Sequence, residues 1–153
     1  MKKIALLFSM LFILAVSSQL KAQDYKSAIG LRLGYPFGVT FKHFLNETSA
    51  IDLFAGTRYS GFTFGGNYEI HKALPDVAGL KWYIGGGALI TFYDYQGYGS
   101  SNFGIDGVIG LDYTFADAPF NLSLDFQPTF LFGEDYYGGF EIFGGVSARY
   151  ILK

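Results

Sequence analysis

The chain has 153 residues, of which 11 are basic, 13 are acidic and none is cysteine, and its formal net charge is −2. The lack of cysteine excludes disulfide bonds and thiolate metal sites, and the acidic balance argues against a nucleic-acid partner, which needs a basic surface. The 21 glycines and the 20 % of aromatic residues favour β-structure with close backbone approaches and aromatic belts.

The first 22 residues have the pattern of a cleaved secretory signal peptide. Lys2 and Lys3 form a positive start, residues 4–16 are almost entirely apolar, and small and polar residues lead to cleavage after Ala22. The apolar run is too short and wrongly flanked for a permanent membrane helix, although an N-terminal anchor helix is the alternative. Removal of residues 1–22 takes away three basic residues and no acidic ones, so the remaining domain, 23–153, has a net charge of −5.

Alternation of apolar and polar residues predicts eight β-strands in this domain, because a strand points successive side chains to opposite faces. The first four segments are 28–35, 39–44, 51–59 and 62–71. Turns are expected between them at 34–38, 46–49 and 60–61, where Pro, Gly, Asn and Ser collect.

The last four segments are 81–93, 103–115, 120–130 and 139–153. They are joined by turns at 73–79 and 116–119 and by two polar, glycine-rich loops at 94–102 and 133–139. Pro128 interrupts an otherwise regular strand, so we expect it to leave a gap in the hydrogen-bond ladder or to mark a bulge.

The composition of the two faces predicts which one lies inside a closed sheet. The apolar face carries bulky Phe, Tyr, Leu and Ile on every strand, which is more volume than an eight-stranded barrel can enclose. The other face is rich in Gly, Thr and Ser and lacks the dense Lys and Glu of a soluble surface. The sequence therefore predicts an all-β, eight-stranded, antiparallel, up-and-down transmembrane β-barrel, with its apolar face toward lipid and its first and last strands paired. A soluble lipocalin-like barrel, with the apolar face inside, is the alternative.

The same alternation predicts a set of charged side chains in the barrel interior. We expect them to form a network of salt bridges and hydrogen bonds, since buried charges need partners, with Arg58 and Arg149 as its hubs because a guanidinium binds carboxylates in a bidentate way. A proton or ion path is the alternative. The predicted network comprises Arg32, Lys42, Asp52, Arg58, Glu69, Asp106, Asp112, Asp125, Glu141 and Arg149.

The two glycine-rich loops carry a second group of candidate residues. These side chains form a tyrosine-rich, acidic rim that could contact a surface partner or a sugar, or could simply extend the outer aromatic girdle. The residues are Tyr95, Tyr98, Glu134, Asp135, Tyr136 and Tyr137.

Catalytic chemistry has little support in the sequence. His43 falls on the outward face near a strand end, whereas His71 points inward beside Glu69. A Ser-His-Glu set built on His71 is the enzymatic alternative, because acyl transfer needs a nucleophile within reach of a base and an orienting group. We assign no catalytic, cofactor or metal residues and predict that the protein is not an enzyme.

The signal peptide, the eight alternating strands and the final strand 139–153 with Tyr150 near its end resemble the OmpA/OmpX-like family of small outer-membrane barrels. Family members commonly end on an aromatic residue that the barrel-assembly machinery reads, whereas here three residues follow Tyr150. The resemblance implies a monomer in the outer membrane of a Gram-negative-type envelope, with periplasmic termini, lipid as its surroundings, and a structural or surface-interaction role. Two alternatives remain: a small ligand-binding or transport barrel, with a cavity lined by Tyr83, Phe54 and Phe143, and a lipid-modifying enzyme.

Overall fold

The computed structural model describes residues 25–133 and 139–152, without the side chain of Tyr95. The predicted signal peptide and the loop residues Glu134, Asp135, Tyr136 and Tyr137 lie outside this part of the chain. Its strands are β1 (Ser27–Tyr35), β2 (Phe37–Phe44), β3 (Ser49–Arg58), β4 (Gly61–Ala73), β5 (Leu80–Tyr95), β6 (Tyr98–Thr114), β7 (Phe120–Phe132) and β8 (Gly139–Leu152).

These strands form one closed antiparallel barrel in which each strand pairs with its neighbours in sequence. β1 closes the barrel by pairing with β8 from Ser27↔Leu152 to Tyr35↔Gly144. The prediction of a closed, eight-stranded, antiparallel barrel is therefore confirmed. Within the described residues there is no helix with the length and apolarity needed to cross a membrane.

Two connections at one end of the barrel are short, as their turn residues predict. Pro36 alone links β1 to β2, and Tyr59 and Ser60 link β3 to β4, with Tyr59 in the left-handed region at φ 50°. At the opposite end, the Asn46 side-chain oxygen accepts hydrogen bonds from the backbone N–H groups of Thr48 (2.9 Å) and Ser49 (2.8 Å). This Asx-type arrangement fixes the turn before β3.

The predicted loop at 94–102 is wrong. β5 continues to Tyr95 and β6 begins at Tyr98, so that only Gln96 and Gly97 form the turn, both with positive φ (53° and 83°). Two consecutive positive φ values suit a tight hairpin, whose twist matches that of the paired strands. The glycines and serines of this segment lower its β-propensity, but pairing from Thr91↔Asn102 to Tyr95↔Tyr98 keeps it extended.

Pro128 leaves the gap in the ladder that its missing N–H predicts. The β6–β7 register runs from Phe103↔Phe132 to Asp106↔Thr129 and resumes only at Ile109↔Phe126. On its other side Pro128 still lies opposite Ile142 of β8. The strand therefore stays continuous, and there is a gap rather than a bulge.

The barrel has a polar interior and an apolar exterior. Arg149, Lys42, Gln127 and Glu69 are at most 1 % exposed. All eight strands present large apolar side chains outward, as with Leu31, which is 58 % exposed. Strands β4 and β5 also lie close together: a Cβ added at Gly87 would overlap the backbone of β4, so the glycine run of β5 lets the neighbouring strand approach closely.

Candidate functional site in the barrel interior

Lys42 lies at the centre of a buried charged layer. Its Nζ is 2.8 Å from Glu69 Oε2, 3.4 Å from Asp112 Oδ2 and 3.8 Å from Asp52 Oδ2. All four side chains are at most 3 % exposed. One ammonium group therefore serves three carboxylates contributed by β3, β4 and β6, which is how a buried lysine keeps its charge partnered.

Arg149 is the second cation of this layer and a hub, as predicted. Its guanidinium donates to Asp52 Oδ2 (2.7 Å), Ser123 Oγ (2.7 Å) and Asn121 Oδ1 (3.3 Å). It also donates twice to the Thr40 hydroxyl, at 3.0 and 3.2 Å. All its nitrogen atoms are thus engaged, which satisfies the planar fork of the side chain.

Arg32 forms the core of a second charged group. It donates to both oxygens of Asp125, at 2.7 and 3.0 Å, in a bidentate pair. The same guanidinium donates to Gln127 Oε1 at 3.0 Å, and the Gln127 amide donates to Asp106 Oδ2 at 2.8 Å. Gln127, which the charge pattern did not point to, therefore connects the ion pair to a further carboxylate.

Tyr83 joins the two groups. Its hydroxyl donates to Asp125 Oδ2 at 3.3 Å, and the Lys42 ammonium lies 4.3 Å from the centre of its ring. Tyr83 was named as a possible cavity wall under the alternative ligand-binding hypothesis, and here it is fully buried in the charge network. Its inward position was visible in the alternation, but its role as a bridge depends on contacts between distant strands.

An apolar layer lies beside the charged groups. Phe54, Leu89, Leu131 and Phe143 pack together and are each at most 2 % exposed. The guanidinium of Arg32 lies 5.4 Å from the Phe54 ring centre. Phe54 and Phe143 were named as possible cavity walls, and here they pack as part of the filling.

Arg58 lies at the rim rather than in a hub. Among the carboxylates of the described residues its ion-pair partner is Glu141, which is 27 % exposed. Its guanidinium carbon lies 4.7 Å from the ring centre of Phe143, 5.2 Å from that of Tyr59 and 5.4 Å from that of Tyr35. Its Nε and Nη1 are buried and have no hydrogen-bond partner within 25–133 and 139–152. The prediction that Arg58 is a second hub is therefore wrong, because its position near the end of β3 places most predicted carboxylates out of reach. Arg32 and Lys42, together with Arg149, are the cations that connect the carboxylates of the interior.

Aromatic rings fill the opposite end of the barrel. His71 stacks on Tyr83 with ring centres 4.8 Å apart, and Phe44 packs against both His71 (4.8 Å) and Tyr25 (5.0 Å). Burial, together with the charge of Asp112, raises the pKa of the Tyr25 hydroxyl well above its usual range.

The histidines do not form the triad considered above. His71 Nε2 is 2.8 Å from Glu69 Oε2, but its Nδ1 has no partner in the described part of the chain, so no serine hydroxyl there completes the set. His43 instead bonds the Ser27 hydroxyl through Nδ1 at 2.8 Å, a cross-strand contact that the sequence analysis missed. Within the described residues no group of three or more histidine or acidic side chains is placed to hold a metal ion.

One predicted contact residue of the external loops can be placed by its side chain. Tyr98 begins β6 and is 84 % exposed. Its backbone lies opposite that of Tyr95 across the Gln96–Gly97 turn. Tyr98 therefore projects from the tip of the longest hairpin.

Comparison of the chain with protein-family models, with curated proteins and with solved structures finds no match. Function is therefore inferred from the barrel itself, and the resemblance to the OmpA/OmpX-like family stays a prediction.

Proposed function

We propose that this protein is an integral β-barrel of a Gram-negative-type outer membrane, with a structural or surface-interaction role and no catalytic activity. The observation that carries the proposal is the reversed distribution of polarity. Charged residues such as Lys42 and Arg149 are buried, whereas the outside of all eight strands is apolar. A soluble monomer rarely exposes apolar patches above a few hundred Å², and a hydrocarbon environment removes that cost.

Closure of the sheet supports the same proposal. In hydrocarbon every backbone N–H and C=O must find a partner within the protein, so a spanning sheet cannot have free edges. Pairing of β1 with β8 meets this requirement. Exposed aromatic side chains near both ends, such as Phe37 and Tyr59 at one and Phe120 and Tyr150 at the other, fit the interfacial girdles of membrane barrels.

The filled interior favours a structural role over transport or ligand binding. The charged groups and the layer of Phe54, Leu89, Leu131 and Phe143 occupy the space that a cavity would need. The predicted export signal supports the orientation expected from the sequence, with both termini in the periplasm.

The test is to refold residues 23–153 in detergent micelles and to compare unheated and boiled samples on a denaturing gel. We expect the unheated sample to migrate faster, because a closed barrel resists the denaturing detergent until it is heated. The refolded protein is expected to aggregate when the micelles are removed.

Equal migration of the two samples, with solubility retained in plain buffer, would refute the membrane assignment. The apolar outside would then need a protein partner to cover it. A planar-bilayer recording adds a second arm, in which steady ion conductance would refute the filled interior.

A further inference from the structure

The rim of the barrel is uneven at the end that carries Pro36. β1 ends at Tyr35, which lies opposite Gly144, but β8 continues for five residues, Gly139–Phe143, beyond that pair. At roughly 3.3 Å per residue this is about 16 Å of strand without a β1 neighbour. The β1–β2 hairpin therefore ends lower along the barrel axis than its neighbour β8, and this part of the rim is the low stretch.

Arg58 and Glu141 span this low stretch from β3 to β8. The Arg58 side chain is 91 % buried, and Glu141 occupies only Nη2. Nε and Nη1, which carry three N–H donors, have no partner among the residues that the structure describes. An unpartnered buried donor costs about 1–3 kcal/mol, so such a group in a folded protein calls for an acceptor.

The surroundings of Arg58 indicate what brings that acceptor. Below the end of β1, the outer faces of β1 and β8 present Leu31 (58 % exposed), Leu33 (56 %) and Val146 (43 %), the residue of β8 opposite Leu33. A cation at the end of an apolar outer surface matches a molecule with an anionic head and a hydrocarbon chain. Tyr59 covers the guanidinium but is 81 % exposed, so few contacts hold its ring in place against rotation.

We propose that this rim site, formed by Arg58, Glu141, Tyr35 and Tyr59, binds the phosphate of a membrane lipid. The phosphate oxygens accept from Nε and Nη1 of Arg58, and the acyl chain lies along the outer face of β1 and β8. The inference rests on the proposed membrane location, since it needs lipid beside the rim.

The test titrates the barrel, refolded in uncharged dodecyl maltoside micelles, with dodecyl phosphate, and measures the dissociation constant by calorimetry. Arg58→Gln is expected to weaken binding about ten-fold or more, as loss of hydrogen bonds to a charged group predicts. Lys72→Gln removes one exposed positive charge at the other end of the barrel and is expected to bind like the wild type.

A second pair of variants covers the case in which Arg58→Gln does not fold. Glu141→Gln releases Arg58 from its carboxylate and is expected to tighten binding, whereas Glu47→Gln, an exposed acid in the turn before β3, leaves it unchanged. Equal affinity of all four variants and the wild type would overturn the site.

Two further ligands identify the source of the anion. Inorganic phosphate and uncharged dodecanol are both expected to bind more weakly than dodecyl phosphate. Inorganic phosphate that binds as tightly would overturn the lipid assignment. Failure of the protein to show a heat-modifiable band in micelles would instead refute the proposed membrane location, and this is checked on the gel before any titration.

Discussion

Replacement of Lys42 by Met removes the cation that three buried carboxylates share while it keeps the apolar stem of the side chain. Glu69 loses its contact at 2.8 Å, which leaves His71 as its one side-chain partner among the described residues, and Asp112 loses its contact at 3.4 Å. Removal of one partner from a buried ion pair costs about 3–5 kcal/mol. We expect the free energy of unfolding to fall by at least that amount, because Lys42 partners more than one carboxylate.

The single tryptophan of the chain provides the assay. Trp82 is half-buried on β5, where the alternation points it outward. Urea unfolding of the barrel from lipid vesicles should shift its emission as the residue leaves lipid for water. The wild type and Lys42→Met would be compared by the change in midpoint at constant slope.

Two controls separate lost charge pairing from general damage. Lys72→Met, an exposed lysine on β4, is expected to change stability by no more than about 0.5 kcal/mol. Glu69→Gln in the Lys42→Met background removes the carboxylate left without its cation and should restore about 1–3 kcal/mol. A loss below about 1 kcal/mol in Lys42→Met, or no recovery in the double variant, would refute the charge-pairing account.

Three further predictions concern packing and surroundings, each measured by the same unfolding assay. Phe143→Ala opens a hole in the apolar layer and should cost about 3–5 kcal/mol, while Phe140→Ala on the outer face should cost less. Leu31→Arg places a charge on the exposed outer face of β1 and should lower the free energy of unfolding in a bilayer by about 2–4 kcal/mol. A change in stability within about 0.5 kcal/mol, as expected for a water-facing surface, would contradict the lipid assignment. Gly87→Ala forces a methyl group into the β4 backbone and should lower the free energy of unfolding by about 1–3 kcal/mol or more. At Gly107 an added Cβ would have its nearest neighbours at 3.9 and 4.0 Å. Gly107→Ala should therefore leave stability unchanged or raise it slightly.

The alternation predicted the architecture because period two is a property of the strand itself. It placed Lys42, Asp52 and Glu69 on the inner face, where the structure has them. It also indicated that Pro128 would interrupt the ladder. It failed at 94–102, where glycine and serine content was taken as a loop although both strands continue to a two-residue turn.

The alternation could not predict which interior side chains contact each other. It shows that a residue faces inward, but not its height along the barrel axis or its neighbour across the barrel. Arg58 and Arg149 look alike in sequence, but one lies near the end of its strand beside Glu141 and the other within the charged layer. Gln127 and Tyr83 connect the charges, and neither carries a charge that would mark it. Leu89 and Leu131 share the inward face with polar neighbours, so they first become recognisable as a layer when the strands are placed side by side.

The partners in the charge network are far apart along the chain, and this governs when they can meet. Arg32 and Asp125 are separated by 93 residues, Arg149 and Asp52 by 97, and Lys42 and Asp112 by 70. Contacts of such range form late and make folding slow. An open sheet of five or six strands would hold several of these charges without partners, and in hydrocarbon that state is very costly. For the membrane barrel proposed above, the strands therefore cannot enter the bilayer one at a time. Their inner faces must stay hydrated until β1 meets β8, and release of that water and pairing of the charges then belong to a single final step.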